Sequence, residues 1–312
     1  MKNFILLFFP LIVSCEVQKQ NDLTQYADPF IGTAYVGHTH PAAQLPFGMV
    51  QVGPDTGTDL WEHCSGYYDG DSTIIGFSHT HLSGTGCPDM GDIMFMPVVG
   101  DVPLNRGVAT DTSTGYRSAF SHQSEEAAPG YYKVQLDDYK VKVELTATQR
   151  VGYHQYTYPA SEKSGLVIDL GHGIGDEPVY SSISLINDTI IAGKRQSKGF
   201  VENHGYYFYA VISKPVHCVS SFVDGIMSHA TSVEGKDTKL HLAFSTQDNE
   251  IVTVKVALST VSIDGAEKNM FTEVRNSSFD EIRLQAKEIW NSYLRKVQIE
   301  PLNADQQISF YT

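Results

Sequence analysis

Residues 139–148 read YKVKVELTAT, and this stretch decides the fold class because apolar and polar residues alternate along it. The odd positions are apolar from Tyr139 to Ala147, and lysine, glutamate and threonine fill the even positions. Side chains of a strand point alternately to its two faces, so a period of two predicts a strand with one face in the core and one in water. Residues 252–259 repeat the pattern with VTVKVALS.

Continuous apolar runs and turn sequences complete this β pattern. Residues 166–170 (LVIDL) and 206–212 (YYFYAVI) are apolar almost throughout, as expected of strands buried on both faces. Turn sequences stand at Pro129-Gly130, Asp224-Gly225, 234–237 and Asp264-Gly265. Many strands, frequent turns and no intervening helical pattern predict an all-β fold, a large antiparallel β-sandwich over residues 27–272.

Towards the end of the chain the pattern becomes helical. Apolar side chains recur there every three or four residues, which predicts an amphipathic helix over residues 277–300. They are Phe279, Ile282, Ala286, Ile289, Trp290, Tyr293 and Val297. Ser278 and Glu281 make a capping box at the start of the helix, and Pro301 stops it.

The first residues, 1–15, form a targeting segment. Lys2 precedes an apolar run, residues 4–13, that is too short to span a bilayer as a permanent helix. The run ends in a small residue and Cys15, which resembles the lipobox of bacterial lipoproteins and predicts lipidation of that cysteine. A plain secretory signal is the alternative. Residues 16–26 form a polar tether, so we expect an exported lipoprotein of a Gram-negative bacterium, in the periplasm or on the outer-membrane surface.

Three further cysteines allow at most one intramolecular disulfide. They are Cys64, Cys87 and Cys218. An oxidising compartment permits a disulfide, and Cys64 with Cys87 is the first pairing to test. Three reduced, buried cysteines are the alternative.

The charge balance excludes some partners. The formal net charge is -14, so long-range attraction to nucleic acid or to anionic lipid is not expected. Hydrophobic residues make up 41% of the chain and charged residues 19%, which is enough to build an ordinary globular core. A neutral partner such as a sugar fits this balance, and any membrane contact is expected through the lipid anchor.

Residues 32–97 are rich in glycine, histidine and aromatic residues, as expected of loops that shape a polar pocket. They contain the sequence HTH twice, at 38–40 and at 79–81. Residues i and i+2 of a strand share a face, so each pair would present two imidazoles to one metal. With Glu62 or Asp89 as a further ligand, a cupin-like metal enzyme is one hypothesis. Histidines that only bond backbone or ligand are the alternative.

Trp61 favours a carbohydrate site. An indole stacks on the C–H face of a pyranose, while acidic and imidazole side chains near it accept hydrogen bonds from the hydroxyls. A core tryptophan is the alternative. The sequence contains no nucleophile elbow, phosphate-binding loop, dinucleotide fingerprint or zinc-ligand spacing. The residues alone therefore predict an exported β-sandwich with a polar loop cluster suited to sugars.

Several motifs resemble the glycoside hydrolase family 92 α-mannosidases, in order from residue 27 to residue 312. They are DPFIGT (28–33), LPFGMV (45–50), CSGY (64–67), GFSHTHLSGTG (76–86), PGYY (129–132), LTAT (145–148), IDLGHG (168–173), IWN (289–291) and FYT (310–312). The eleven-residue motif at 76–86 is highly specific.

The resemblance implies an amino-terminal β-sandwich joined by a linker helix to an (α/α)6 barrel. A helical start at Asp305 agrees with it, and residues 301–312 are expected to be the truncated start of a barrel that is missing from this chain. It also implies an exo-acting, inverting, calcium-dependent hydrolase of terminal α-linked mannose in glycans such as N-glycans or mannan. Catalytic and calcium-binding residues are expected in the barrel, so this chain alone is expected to be inactive. A carbohydrate-binding lipoprotein that uses the sandwich alone is the alternative.

For the sandwich, the resemblance implies loop residues that reach the mannose pocket from one side. The candidates for substrate binding are Trp61, Cys64, Asp59, His79 and His81. The family pattern has an apolar aromatic residue where this chain has His40, which argues against a ligand role for His40.

Overall fold

Two large antiparallel sheets followed by helices make up the computed structural model, which describes residues 22–301 and 303–312. The predicted signal peptide, its Cys15 and residues 16–21 of the tether lie outside the described residues. Among the three α-helices of the described part, none has the length and apolar character needed to cross a membrane.

The elements follow one another with short connections. The strands are β1 (Ala43–Gln44), β2 (Gln51–Asp55), β3 (Thr73–Ile74), β4 (Gly76–Ser78), β5 (Met94–Val99), β6 (Ser118–Ala119), β7 (Glu126–Ala128), β8 (Tyr131–Leu136), β9 (Val141–Ala147), β10 (Val151–Tyr158), β11 (Ser161–Asp169), β12 (Glu177–Leu185), β13 (Ile190–Lys198), β14 (His204–Ile212), β15 (Cys218–Val223), β16 (Ile226–Ser228), β17 (Ser232–Gly235), β18 (Thr238–Thr246) and β19 (Glu250–Ser259). The α-helices are α1 (Ile263–Glu273), α2 (Phe279–Leu294) and α3 (Ala304–Tyr311). Short 3-10 helices cover Leu23–Tyr26, Trp61–His63, Thr112–Thr114 and His122–Ser124.

The two sheets face each other across one core. The 8-stranded sheet has the order β1-β2-β4-β5-β11-β18-β15-β16, and the 9-stranded sheet has the order β17-β12-β13-β14-β19-β10-β9-β8-β7. Buried side chains of both sheets form a single apolar cluster, with Phe77 and Phe95 from one sheet and Tyr156 and Phe208 from the other. Because each sheet buries one face against the other, the predicted β-sandwich is confirmed.

The two alternating stretches form β9 and β19 of the larger sheet. Val143 and Leu145 point into the core and are fully buried. Thr146, on the face that the alternation assigns to water, is also buried, because α2 covers this part of the outer face and the threonine Oγ1 donates to the Gly130 carbonyl (2.8 Å). Gly130 has a positive φ of 81°, and a Cβ there would lie 2.8 Å from the Ala286 Cβ of α2, so glycine is required at this turn.

The two continuous apolar runs differ in burial. Residues 166–170, in and just after β11, are buried throughout, as predicted. Residues 206–212 of β14 are buried only in part: Tyr206, Tyr207 and Val211 are half-buried. The helix α1 packs on the outer face of β14 but covers only part of it. The prediction of burial on both faces was therefore wrong for those three residues.

The helix α1 corrects the prediction that residues up to 272 are all β. The predicted turn Asp264-Gly265 is its first turn, in which Ser262 Oγ accepts from the Gly265 N–H (3.0 Å). The side chains that α1 and its end bring to the outer face of the larger sheet are Ala266, Met270 and Val274. Three apolar residues at a spacing of four make a weak helical signal, which explains why the pattern was missed.

The predicted capping box starts α2 as expected. The Ser278 N–H donates to Glu281 Oε2 (2.8 Å), and the Glu281 N–H donates to Ser278 Oγ (3.3 Å). Phe279 and Ile282 are buried against the larger sheet, whereas Tyr293 remains 37% exposed beside the 90% exposed Phe47. The apolar stripe is therefore covered by the sheet at its start and exposed at its end. The helix ends at Leu294, before the predicted boundary at residue 300.

The last part of the predicted tether, residues 22–26, belongs to the folded body. Leu23 is buried, and its N–H donates to Asn291 Oδ1 of α2 (2.9 Å). Asp22 forms an ion pair with Lys287 (2.7 Å). Leu23 is an apolar residue in an otherwise polar stretch, and its burial against α2 is the physical reason why the tether ends earlier than predicted.

Candidate sugar-binding cleft and the buried histidines

A shallow cleft at one end of the sandwich contains three of the predicted site residues. It encloses about 410 Å³ and is lined by Thr58, Asp59, Leu60, Trp61, Cys64, Pro88 and Gly175. These residues come from the loops after β2, β4 and β11. Clefts with one aromatic wall and a few polar groups are typical of sugar sites.

Trp61 projects outward because the 3-10 helix that carries it is anchored from below. His63 Nε2 lies 2.8 Å from Asp71 Oδ2, and Cys64 is fully buried. The indole is 55% exposed and meets the His38 ring edge-on, with 4.9 Å between the centroids. A large part of the indole surface is therefore open to a ligand, which the alternative of a core tryptophan does not allow.

Asp59 supplies a hydrogen-bond acceptor at the rim of the cleft. Thr58 Oγ1 donates to Asp59 Oδ1 (2.9 Å), and Arg106 Nη1 donates to Thr58 Oγ1 (3.2 Å). Arg106 is fixed in turn by the Gly171 carbonyl (3.1 Å from Nη2). The exposed carboxylate is thus oriented through its threonine neighbour, with oxygen lone pairs left for sugar hydroxyls.

Cys64 lines the cleft as a thiol. All three cysteines of the described part are free, with Cys64 buried, Cys87 half-buried and Cys218 exposed. Burial raises the pKa of the Cys64 thiol, and the nearby Cys87 and Glu62 add to the shift. Of the two alternatives in the sequence, the structure has the reduced form, although Cys218 is not buried as that alternative supposed.

His81 lies below the cleft in a buried ionic cluster. Its Nδ1 lies 2.8 Å from the Gln51 carbonyl oxygen and its Nε2 lies 2.8 Å from Asp55 Oδ1. The Gln51 carbonyl and the Asp55 carboxylate both accept, so the ring donates from both nitrogens as an imidazolium, and Ser78 Oγ lies 3.1 Å from the same Nε2. Asp55 Oδ2 also accepts from His172 Nε2 (2.8 Å). Burial opposes the Asp55 charge, but His81 and His172 outweigh it and hold the pKa of this carboxyl well below its usual range.

His79 points the other way, into the core between the sheets. Its Nδ1 donates to the Ile93 carbonyl (2.6 Å), and its Nε2 accepts from His154 Nε2 (2.9 Å). His154 Nδ1 accepts in turn from the Tyr156 hydroxyl (2.8 Å). This assignment leaves both rings neutral, and burial lowers the pKa of His79 to about 4 and holds that of His154 well below its usual value. We call His79, His154 and Tyr156 the histidine chain.

The structure therefore corrects the roles predicted for His79 and His81. Both are buried with both ring nitrogens in use, so neither reaches a ligand in the cleft. The period-two argument fails because β4 ends at Ser78, and the two side chains that follow diverge. His40 is buried 5.0 Å from the His81 ring, and burial with the positive charge on His81 lowers the pKa of His40 to about 3.

Sequence reasoning gave no role to Asp55, His154, His172 or Arg195. Asp55 and His172 are 117 residues apart, and Arg195 bonds an aspartate 103 residues away, so no spacing rule connects them. The fold places Asp55 and His172 near each other by setting β2, β4, β5 and β11 side by side, whereas His154 on β10 and Arg195 on β13 approach from the opposite sheet. Within residues 22–301 and 303–312, the His-x-His pairs form no metal-binding group; the group with suitable spacing is Asp89, Asp176 and His204.

Comparison with known families assigns the chain. A model of the glycosyl hydrolase family 92 N-terminal domain matches residues 26–259, and a model of the family's catalytic domain matches residues 265–312. The chain belongs to glycosyl hydrolase family 92. The boundary between the two matches, residues 259–265, lies at the start of α1, whereas the sequence pattern suggested residues 272–277.

Solved family 92 structures share the fold closely. A family 92 α-mannosidase from Bacteroides thetaiotaomicron in complex with mannoimidazole superposes with a TM-score of 0.90 at 37% identity, and the match covers 93% of this chain and 39% of that chain. A family 92 inverting mannosidase from Bacteroides thetaiotaomicron VPI-5482 gives a TM-score of 0.81 at 28% identity, covering 93% and 38%. An uncharacterized secreted glycosidase from Arthroderma benhamiae is 28% identical over 320 residues, covering 93% and 40%.

The chain thus spans about two fifths of the length of these relatives. The predicted family and the predicted β-sandwich are confirmed. The match to the catalytic domain begins within α1 and covers α2 and α3.

Proposed function

We propose that this chain supplies the sandwich side of the active site of an exo-acting, inverting, calcium-dependent α-mannosidase. The family, and relatives described as an α-mannosidase and an inverting mannosidase, support a glycosidase acting on mannose-containing glycans such as N-glycans or mannan. The observation that carries the proposal is the cleft, in which an exposed indole stands beside an oriented carboxylate.

In this proposal Trp61 stacks on the apolar face of the mannose ring and Asp59 accepts hydrogen bonds from its hydroxyls. Cys64 closes the floor as an uncharged thiol. These groups bind and orient the sugar and exclude water from one side of it. They carry no proton in the reaction, so their contribution is to positioning.

Inversion requires an acid and a base roughly 6.5–9.5 Å apart, with a water between the base and the sugar. The cleft offers Asp59 but no buried second carboxylate among the described residues that line it. Asp55 and Asp89 are buried, and both oxygens of Asp55 are bonded by histidines. We therefore place the acid and base in the catalytic domain, beyond the part that matches here.

Calcium does not fit the described residues. It takes about 6–8 oxygen ligands in a flexible cage. In the described part, the group with metal-ligand spacing has only three residues, one of them a histidine. A calcium ion would be held by the catalytic domain, and the residues described above act without it.

Mannose release from an α-mannobioside tests the proposal. We expect no turnover by this chain alone, with or without calcium. The chain joined in frame to a family 92 catalytic domain should show calcium-dependent turnover. In the joined enzyme, Trp61→Ala should lower kcat/KM by about tenfold, the equivalent of about 1.4 kcal/mol of lost stacking.

Phe271→Ala is the matched control, because this aromatic residue on α1 is 52% exposed and lies outside the cleft. It should leave kcat/KM within about twofold, as is usual for surface positions. Turnover by this chain alone would contradict the proposal and return the search to Asp59 and Glu62. Mannose binding without turnover in the joined protein would favour the carbohydrate-binding lipoprotein.

We further propose that the chain is exported, since the Arthroderma benhamiae relative is described as secreted. We also propose that a lipid on Cys15 anchors it, because the residues that precede this cysteine resemble a lipobox. Cys15→Ala should then release the protein from the membrane fraction. Mass spectrometry that finds no acyl group on the wild-type protein would rule the anchor out.

A further inference from the structure

Asp89, Asp176 and His204 converge at the base of the β13–β14 hairpin. One ligand atom from each lies within 4.8 Å of the others. The Asp89 and Asp176 side chains are almost fully buried, and that of His204 is 13% exposed. The turn of the hairpin is attached to the same group, because Asp89 Oδ2 accepts from the Val201 N–H (2.9 Å).

The group carries more negative charge than its partners balance. Arg195 Nη1 contacts Asp92 Oδ1 (2.5 Å), and both of its terminal nitrogens contact Asp176 (2.8 and 2.9 Å). In the described part of the chain, Asp89, Asp92 and Asp176 form their ion pairs with Arg195 and His204 alone. Three carboxylates and one guanidinium leave a formal charge of about -2 with a neutral histidine, and burying uncompensated charge is costly.

His204 adds an observation that does not depend on charge. Its Nδ1 is buried without a hydrogen-bond partner and lies 4.0 Å from Asp89 Oδ1. Its Nε2 lies 2.8 Å from Ser197 Oγ, 3.8 Å from Asp176 Oδ2 and 3.7 Å from Asp92 Oδ2. A metal-binding histidine uses one nitrogen for the ion and donates from the other to a neighbouring acceptor, which fixes the ring. His204 has this arrangement in the tautomer whose Nε2–H donates to Ser197 Oγ.

Asp176 can still bind a metal ion although it is paired with Arg195. Each carboxylate oxygen has two lone-pair sites, and each Asp176 oxygen has one bond to the guanidinium. Asp89 Oδ1 accepts from its neighbour's N–H, that of Met90 (2.9 Å), and likewise keeps a second site. Two carboxylates and one imidazole are a mixed oxygen and nitrogen set, which suits manganese or zinc rather than calcium.

We infer that Asp89, Asp176 and His204 bind one divalent cation of the manganese–zinc class. The cation brings the formal charge of the cluster to about zero. It is coordinated by His204 Nδ1, which has no hydrogen-bond partner otherwise. It also fixes the turn at residues 199–203, because Asp89 bonds the Val201 N–H. The site is independent of the calcium expected in the catalytic domain and of the proposed mannosidase activity, because it uses this chain's own residues.

Mn²⁺ added to the chelator-treated chain tests the inference, since manganese avoids the three cysteines. Isothermal titration should give one saturable site. His204→Gln removes the Nδ1 ligand and keeps a polar group for Ser197, and Asp89→Asn keeps the acceptor for Val201. Each should weaken the Kd for Mn²⁺ by at least about tenfold.

His229→Gln and Asp101→Asn are the matched controls, because both residues are exposed and lie outside the group. They should bind Mn²⁺ as the wild type does. A wild type without saturable binding, or equal binding by all five proteins, would overturn the site. Displacement of Mn²⁺ by equimolar Ca²⁺ would overturn the assigned cation class.

Electron spin-echo spectroscopy of Mn²⁺ on the wild-type chain keeps the test decisive if a variant fails to fold. We expect modulation from one directly bound imidazole nitrogen. A manganese spectrum without nitrogen coupling would overturn the role of His204. Limited proteolysis is an independent measurement. Mn²⁺ should slow cleavage within residues 199–203 of the wild type, and the cleavage rate of His204→Gln should not change.

Discussion

The histidines inside the sandwich and the tryptophan at its loop end differ in how much of their bonding capacity is already in use. His79 and His81 have partners on both ring nitrogens. Trp61 touches His38 by an edge and leaves just over half of its surface, 55%, to solvent. The first six residues of the most distinctive motif, 76–81, are therefore buried in the fold, whereas the cleft is lined by residues outside 76–86.

The largest expected effect on the free energy of unfolding comes from a substitution next to the buried histidines. Asp55→Ala removes the counter-charge of the buried His81 imidazolium and the acceptor of His172. Leaving such a charge unpaired typically costs about 3–5 kcal/mol, so we expect that loss in the free energy of unfolding. Urea unfolding at neutral pH measures it.

Asp59→Ala, in the cleft at the end of the sandwich, is the substitution matched to Asp55→Ala. It removes an exposed carboxylate and should change the free energy of unfolding by less than about 0.5 kcal/mol. Equal losses for the two variants would show that the interior cluster is not the ionic one described above.

Acid should destabilise the fold through the buried neutral histidines. Their pKa is about 6.5 in the unfolded chain, and in the folded chain it is about 4 for His79 and about 3 for His40. The unfolded chain therefore binds protons first as the pH falls. The stabilisation is complete above about pH 6.5 and is lost progressively as the pH falls towards 4 and 3.

Urea unfolding at several pH values between about 7 and about 4 measures this loss. His40→Asn should reduce the slope, and the exposed His229→Gln should keep it. A free energy of unfolding that stays constant over this range would contradict the neutral assignment of the histidine chain.

The smallest expected effect on stability is that of Trp61→Ala. Because the indole is largely exposed, the free energy of unfolding should fall by less than about 0.5 kcal/mol. The other tryptophan of the chain, Trp290, gives the comparison: it is half-buried on α2, and its Nε1 donates to the Gln44 carbonyl (2.6 Å). Trp290→Ala should cost about 3 kcal/mol or more, since it loses packing and a bond. Thermal unfolding followed by circular dichroism would separate the two.

The sequence predicts the fold better than the site, for a physical reason. Strands such as β9 and β19 and the start of α2 are local patterns, set by periods of two and 3.6 and by a cap. The Asp55 cluster is not local, because its partners meet only when distant strands pair. Trp61, Asp59 and Cys64 share one cleft because they lie within a single loop, whereas the grouping of His79 with His81 was wrong, since the strand carrying them ends at Ser78.

The packing of α1 and α2 on the larger sheet has a consequence for where the protein can be divided. By sequence family the N-terminal match stops at residue 259, yet Tyr153 on the sheet packs against Phe279 of α2, with 5.5 Å between ring centroids. Tyr153 also lies in one apolar cluster with Met270 of α1. A polypeptide that ends at residue 259 would expose the apolar outer face of the larger sheet to solvent. The smallest unit that folds on its own therefore extends past the family boundary to at least Leu294.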